Sequence, residues 1–207
     1  MKRIILLVFI SAFFATVASA QFSFGVKGGL TVSDMNLDVE PDTVVDPIFG
    51  YHGGVFFKIG DGLFSFQPEV KYVRKGMRLN DLNSDWYQQF NMNYIDVPLL
   101  LRIGVNLKVA EIYFNMGPYV SYAFSSKILQ NNFDETQNAW VESDYDYKFD
   151  GFIEDRFDAG VVMGAGVRLL MIVLEVQYNT GLTHVGNTER FDSSNHKYLN
   201  VSLGVQF

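Results

Sequence analysis

The segment Ile112-Tyr113-Phe114-Asn115-Met116-Gly117-Pro118-Tyr119-Val120-Ser121-Tyr122-Ala123-Phe124 decides the fold of this chain. Its even positions carry apolar or aromatic residues, whereas its odd positions carry mostly small or polar ones. Successive side chains of a strand point to opposite faces, so the segment predicts a strand with one apolar face. The same two-residue rhythm recurs along the chain and predicts eight strands, at 22–32, 49–59, 63–75, 93–105, 110–124, 156–169, 171–183 and 197–207.

Residues 1–20 have the pattern of a cleaved secretory signal peptide. They contain, in order, a basic pair, an apolar run and a small-residue cleavage site: Lys2-Arg3, 4–17 and Ala18-Ser19-Ala20. The apolar run is short for a membrane-spanning helix, so a retained anchor is the less favoured alternative. We therefore expect an exported protein whose mature form is one domain, residues 21–207.

The composition argues against several classes of protein. The chain has no cysteine, which excludes a lipoprotein anchor, a disulfide framework and a thiol nucleophile. Its net charge of −7 becomes −9 once Lys2 and Arg3 are removed, and this acidity argues against a nucleic-acid partner. No later stretch approaches 18 apolar residues, so the expected route through a membrane is a closed barrel, whose backbone groups pair between strands.

The two faces of the predicted strands differ in chemistry. One face is apolar and aromatic, and the other carries glycines and charges of both signs. We predict an ion-paired lumen network of these residues: Lys27, Lys58, Glu69, Lys71, Asp96, Arg102, Glu111, Asp158, Arg168 and Glu175. Eight strands enclose a space that side chains can just fill. The pattern thus predicts an all-β, eight-stranded antiparallel up-and-down transmembrane β-barrel. A soluble lipocalin-like binder, apolar inside and polar outside, is the inverse alternative.

The connections predict an orientation. Short links near 60–62, 106–109 and 170 alternate with long ones near 33–48, 76–92, 125–155 and 184–196. In outer-membrane barrels the short turns and both termini face the periplasm. This orientation predicts one aromatic belt at each rim, with Phe22, Phe24, Phe57, Phe64, Phe66, Phe114 and Phe207 on the periplasmic side and Phe49, Tyr51, Tyr72, Tyr122, Phe124 and Phe157 on the outer side. We therefore expect the bacterial outer membrane as the location, and its lipid and lipopolysaccharide as partners.

Three prolines fall inside predicted strands: Pro68, Pro98 and Pro118. Proline removes a hydrogen-bond donor from the ladder and is normally found at an edge strand or a bulge. Because a closed barrel has no edge, we expect a local bulge at each of these prolines.

A series of short motifs resembles the outer membrane protein beta-barrel domain family of Bacteroidetes, also described as PorT-like or porin family. The motifs are Gly25-Val26-Lys27-Gly28-Gly29-Leu30, Gln67-Pro68-Glu69-Val70-Lys71-Tyr72, Tyr94-Ile95-Asp96-Val97-Pro98-Leu99, Gly117-Pro118-Tyr119-Val120 and Glu175-Val176-Gln177-Tyr178-Asn179-Thr180-Gly181-Leu182. The resemblance covers the mature chain and implies an OmpA/OmpX-like barrel in the Gram-negative envelope, but little about activity. It includes the prolines, and it implies that Phe207 is the C-terminal signal read by the barrel-assembly machinery.

The longest predicted connection interleaves acids with aromatic residues. Part of it, residues 140–149, alternates loosely and predicts a ribbon that projects beyond the membrane. The candidate surface residues of this extracellular segment are Trp140, Asp144, Tyr145, Asp146, Tyr147 and Asp150. Such a surface could bind a partner or a divalent cation, although the spacing is not that of an EF-hand. A solvated, charge-rich loop is the default interpretation.

No catalytic site, metal site or cofactor is predicted. His52 faces the lumen, and His184 and His196 flank the last long connection, where Asp192 would allow a hydrolase-like site to be imagined. Ordinary polar residues are the favoured interpretation, and no cluster has metal-ligand spacing. We expect a non-enzymatic, monomeric barrel for envelope structure or surface contact. A narrow porin, which the lumen charges argue against, and a PorT-like secretion-accessory barrel are the alternatives.

Overall fold

The computed structural model describes residues 21–35, 43–81, 86–134, 139–146, 156–182 and 196–207. Within these ranges the chain forms nine strands: β1 Phe22–Met35, β2 Thr43–Ile59, β3 Phe64–Asp81, β4 Tyr87–Leu107, β5 Ala110–Asp134, β6 Ala139–Asp146, β7 Phe157–Leu169, β8 Ile172–Gly181 and β9 His196–Gln206. The same ranges contain no helix long and apolar enough to cross a membrane.

Eight of these strands close into an antiparallel ring. Neighbouring strands pair in the order β4-β3-β2-β1-β9-β8-β7-β5, and β4 also pairs with β5. The ninth strand, β6, stands outside the ring and pairs with residues 127–134 of β5. The predicted eight-stranded up-and-down barrel is therefore confirmed, and part of the predicted ribbon is present as the β5–β6 pair.

Side chains alternate strictly between the two faces of the ring. In β8, for example, Glu175 and Gln177 are buried, whereas Leu174 and Val176 are exposed. The exposed face is apolar around the whole ring, and Leu30 and Leu203 are each more than three-fifths exposed. A contiguous apolar exterior of this kind is stable against lipid and unstable against water.

Aromatic side chains pair across strands near both rims. On the side of the short turns, the rings of Phe22 and Phe57 are 5.7 Å apart and those of Phe24 and Phe207 are 5.3 Å apart. On the opposite side, Tyr51 lies 5.8 Å from Tyr72, and Tyr122 lies 5.1 Å from Phe157, measured between ring centres. These pairs lie where the two aromatic belts are predicted.

Four strands extend farther outward than the apolar pattern predicts. The extensions and β6 together form what we call the outer wall, residues 43–48, 76–81, 87–92, 125–134 and 139–146. The 25 residues of β5, at roughly 3.4 Å per residue and roughly 40° tilt, span about 65 Å along the barrel axis, against an apolar band of roughly 25 Å. Backbone pairing thus continues where lipid no longer imposes alternation. For this reason the alternating sequence pattern is shorter than the strands themselves.

The predicted bulges at Pro68, Pro98 and Pro118 are wrong. Each proline is paired in register on one side, as Pro68 with Leu99, Pro98 with Tyr119 and Pro118 with Val161. On its other side the ladder lacks two bridges, but the register is the same before and after the gap. The missing N–H interrupts local hydrogen bonds without requiring an inserted residue, so no bulge forms.

The register shifts of the ring occur elsewhere, between Pro47 and His52 in the β2–β3 ladder and between Asn93 and Tyr94 in the β4–β5 ladder. At the first shift a Cβ on Gly50 would lie 1.9 Å from the carbonyl oxygen of Arg74, so the backbones approach too closely for another residue. The Ser33 hydroxyl bonds to both the N–H and the carbonyl of Gly76, each at 2.9 Å. Both shifts lie where the ring passes into the outer wall.

Candidate functional site

The ten predicted lumen residues all lie on the interior face of the ring. Nine are buried, and Arg168 is partly exposed at the end of the short turns, which we call the periplasmic mouth. They form three groups along the barrel axis: a lower cluster of Lys58, Arg102, Glu111 and Arg168 nearest the mouth, a middle cluster of Lys27, Glu69, Lys71 and Glu175, and an upper cluster of Asp96 and Asp158.

The middle cluster connects strands that are not neighbours in the ring. Lys27 of β1 places its Nζ 2.7 Å from Oε1 of Glu69 in β3 and also contacts Glu175 in β8. Lys71 lies 3.5 Å from Oε2 of Glu69 and donates a hydrogen bond to Oε1 of Gln177 at 2.7 Å. Two ammonium groups thus face two carboxylates, and the balanced cluster ties three parts of the wall together across the lumen.

The lower cluster gathers three cations around one carboxylate. The Glu111 oxygens lie 3.2 Å from Nζ of Lys58, 3.1 Å from Nε of Arg102 and 3.0 Å from Nε of Arg168. The Arg102 guanidinium also stacks 3.3 Å from the ring centre of Tyr113, a favourable contact for a cation on an aromatic face. The cluster therefore carries more positive than negative charge.

The upper cluster contains a lysine that the sequence analysis missed. Lys75 is fully buried, and its Nζ lies 3.3 Å from Oδ2 of Asp158 and 3.9 Å from Oδ1 of Asp96. The same nitrogen is 4.1 Å from the ring centre of Tyr94 and 4.3 Å from that of Tyr198. Lys75 has the same odd-numbered parity as the charges predicted for β3. It is the last residue of the predicted strand 63–75, so this parity was sufficient to identify it.

His52 lies in a hydroxyl-lined part of the lumen between the middle and upper clusters. Its Nδ1 is 3.0 Å from Oγ1 of Thr31 and its Nε2 is 2.8 Å from Oγ of Ser202, while Thr31 donates to Oδ1 of Asn200. All four residues are buried. A serine-histidine hydrolase orients its histidine with a carboxylate. Here both ring nitrogens of His52 face hydroxyl groups, those of Thr31 and Ser202.

Apolar layers separate the charged clusters. Phe56, Tyr113 and Val173 lie between the lower and middle clusters, and Val73, Leu100, Tyr119, Val162 and Tyr198 lie between the middle and upper clusters. These residues are at most 3% exposed. In the part of the chain that the structure describes, no three His, Asp or Glu side chains are grouped to hold a metal ion. The interior is thus a filled stack of ionic and apolar layers.

The predicted surface residues of the longest connection fall partly on β6. The backbones of Trp140, Asp144, Tyr145 and Asp146 lie in that strand, and the Asp144 side chain is exposed. Tyr147 and Asp150 lie outside the described residues, as do His184 and Asp192. The segment was predicted mainly as a loop, and its described part is a strand in register with the outer half of β5.

An apolar exterior, a charged interior and short turns at one end are the arrangement of outer-membrane barrels. The model of the family described as "Outer membrane protein beta-barrel domain" matches residues 14–187. The chain belongs to this family. Its location is therefore the bacterial outer membrane, and the soluble lipocalin-like alternative is wrong because the apolar face points outward. The match ends before β9, the strand that closes the ring against β1.

Three solved structures of outer-membrane proteins are similar to this family member. They are Ail, the attachment invasion locus protein of Yersinia pestis, solved with the heparin analogue sucrose octasulfate (11% identity, TM-score 0.46, 90% of this chain and 99% of that chain), Neisserial surface protein A (11%, 0.44, 89% and 97%) and the N-terminal β-barrel domain of Pseudomonas aeruginosa OprF (8%, 0.35, 91% and 100%). No curated protein sequence matches this chain. At such low identity, none of these similarities indicates what the chain binds.

Proposed function

We propose that this outer-membrane barrel is a closed, non-enzymatic protein that acts in envelope structure or through surface contacts of its outer wall. The observation that carries the proposal is the filled lumen. The interior face of β4 carries Asp96, Leu100 and Arg102, with Pro98 between the first two, and these three side chains have no exposed surface. In an eight-stranded barrel, side chains that meet across the axis leave no aqueous path.

Planar-bilayer recording tests the closed lumen. The refolded protein, with a general porin as positive control for insertion, should give a conductance equal to that of the bare bilayer. The heat-dependent shift in gel mobility would verify that the recorded sample is folded. Discrete conductance steps that scale with the amount of folded protein would overturn the proposal and favour the narrow-porin alternative.

A secretion-accessory role of the PorT-like type is a second candidate. The series of short sequence motifs that resembles PorT-like proteins favours it. A deletion strain distinguishes the two roles. Loss of secreted cargo, restored by the wild-type gene, would support the accessory role. Unchanged secretion together with increased sensitivity to detergent would support a role in envelope structure.

We further infer how the protein reaches its membrane and what surrounds it there. We infer that residues 1–20 are removed, that Phe207 is read by the barrel-assembly machinery and that the monomeric barrel contacts lipid and lipopolysaccharide. Phe207 pairs by backbone hydrogen bonds with Phe24, at 2.7 and 3.2 Å, and its side chain is 60% exposed. Mass spectrometry of the purified protein should find Gln21 as the first residue. Phe207→Ser should lower the assembled fraction in cells.

A further inference from the structure

The periplasmic mouth contains a cavity of about 450 Å³ with a basic lining. Lys58 and Arg168 reach it from the ring wall, and Lys108 reaches it from the two-residue turn between β4 and β5. The amide of Gln206 lines the same space. Phe22 and Phe207, which belong to the periplasmic aromatic belt, and the acidic Asp61 also line it. The cavity therefore lies between residues of the lower cluster and the periplasmic aromatic belt.

The charges of the barrel interior are unevenly distributed along its axis. In the lower cluster, Glu111 is shared by three cations, whereas in the upper cluster Lys75 faces two carboxylates. At the mouth, Lys108 and Asp61 add one charge of each sign. Among the described side chains, the periplasmic end thus keeps an excess of two positive charges.

An anion in this cavity would offset that excess. Lys58 and Arg102 are buried, and a buried cation without a full counter-charge is costly. Guanidinium and ammonium groups together suit the oxygens of a phosphate, which accept several hydrogen bonds at once. Because the aromatic belt lies at the rim of the cavity, a phosphate at this depth would lie among the headgroups of the inner leaflet.

We propose that the periplasmic mouth binds a phosphate group, held by Lys58, Lys108 and Arg168 and supplied by the headgroup of an anionic phospholipid. The site is on the opposite side of the membrane from the outer wall. It requires neither a closed lumen nor a surface-contact role, so its test is independent of the proposed function.

The first experiment measures thermal unfolding of the refolded barrel in an uncharged detergent. Inorganic phosphate is titrated against sodium chloride at constant ionic strength, and the folded fraction is read from the heat-dependent gel shift. At phosphate tenfold above its dissociation constant, binding to the folded state alone should raise the midpoint by about 3–6 °C. A midpoint that does not change with phosphate would overturn the site.

Paired variants separate a specific site from general screening. Lys108→Asn with Arg168→Gln removes two cavity charges. Asparagine tolerates the positive φ of 34° at position 108, and Lys58 and Arg102 still pair with Glu111. The matched control is Lys127→Gln, which removes an exposed cation from the outer wall. The phosphate-induced shift should fall at least threefold in the double variant and stay unchanged in the control. Equal shifts in all three proteins would overturn the proposal.

Vesicles identify the source of the phosphate. The barrel is refolded into phosphatidylcholine vesicles with or without one-fifth phosphatidylglycerol, in a buffer free of phosphate. The anionic lipid should raise the midpoint of the wild type and of Lys127→Gln but not that of the double variant. A response to free phosphate without any response to phosphatidylglycerol would overturn the headgroup as the ligand.

Discussion

The membrane-spanning ring and the outer wall are formed by the same strands but follow different rules. In the ring, parity decides the environment: Glu175 is buried, and its neighbours Leu174 and Val176 are exposed. In the outer wall, four consecutive residues of β4, 87–90, are all half-buried whatever their parity. The last four residues of β3, 78–81, are half-buried in the same way.

This difference shows that the alternating pattern is set by lipid and not by the strand itself. Hydrocarbon on one side and a filled lumen on the other require opposite chemistry on the two faces of the wall. Near the ring the outer wall still buries side chains such as Ile48, Met92 and Ile128. Farther out, at 78–81 and 87–90, no side chain is fully buried, and the requirement disappears while the backbone ladder continues. Single changes should therefore have large effects in the ring and small effects at exposed positions of the outer wall.

Lys27→Met should have the largest effect of the changes considered. It leaves Glu69 and Glu175 buried without the ammonium group that joins them, and breaking a buried ion pair on one side costs about 3–5 kcal/mol. Urea-dependent unfolding of the refolded barrel measures the change in the free energy of unfolding. Lys127→Met in the outer wall is the control and should stay within about 0.5 kcal/mol of the wild type. Similar losses in both variants would contradict the difference between the two regions.

Leu203→Arg should have the next largest effect. Leu203 is 62% exposed on the lipid face and pairs with Gly28 near the middle of β1. An arginine at the middle of the bilayer destabilises a barrel by about 2–4 kcal/mol. Val44→Arg, at an exposed position of the outer wall, should change the free energy of unfolding in the same vesicles by less than about 0.5 kcal/mol. If Val44→Arg were as destabilising, the apolar band would extend into the outer wall.

Tyr51→Leu should have an intermediate effect at the boundary of the two regions. The Tyr51 ring stacks on Tyr72 with centres 5.8 Å apart, and such aromatic pairs contribute about 0.5–1.5 kcal/mol beyond their buried area. Leucine keeps an apolar side chain against the lipid, so the loss reports on the ring pair. The double variant with Tyr72→Leu should lose less than the sum of the two single losses. Full additivity would show that the two rings do not interact.

Replacing residues 128–145 by an Asn-Gly turn should have the smallest effect on the membrane-spanning ring, because the β4 residues that lose their partners, 87–90, lie in the outer wall. The turn would join Lys127 to Asp146, which are partners in the β5–β6 ladder, and this dipeptide favours a two-residue hairpin. Halving the length of a connection changes its closure cost by only about 0.6 kcal/mol. The shortened protein should keep its heat-dependent gel shift. A variant that no longer folds would show that the outer wall is part of the folding unit.

The ring could be predicted from the sequence because alternation reports directly on the two environments of its wall. Strand number, the faces of the ten lumen residues and the aromatic rims all follow from parity. The outer wall could not be predicted in this way, because backbone pairing in water leaves no pattern in residues such as Gln88 and Gln89. Lys75 was missed although it is the last residue of the predicted strand 63–75 and shares the odd-numbered parity of Glu69 and Lys71.

The sequence also could not predict which lumen residues contact one another. Parity shows that Lys27 points inward, but its contacts with Glu69 and Glu175 depend on the register of three strands and on the diameter of the ring. The hydroxyl surroundings of His52 depend on the same register. The register shift between Pro47 and His52 was not predicted, because the close backbone contact at Gly50 that accompanies it depends on the fold. Bulges were predicted at the prolines instead.

The three prolines have a mechanical consequence for so small a barrel. The bridges missing beside Pro68, Pro98 and Pro118 adjoin one another across the three successive ladders from β2 to β5. They form a crease that crosses half of the wall, where strands are joined by fewer hydrogen bonds and the sheet can fold over a smaller radius. Amide protons along this crease should exchange with deuterium before those of β7 and β8, whose ladder is unbroken. The half of the cylinder opposite the crease, whose ladders are unbroken, should then be the last to exchange.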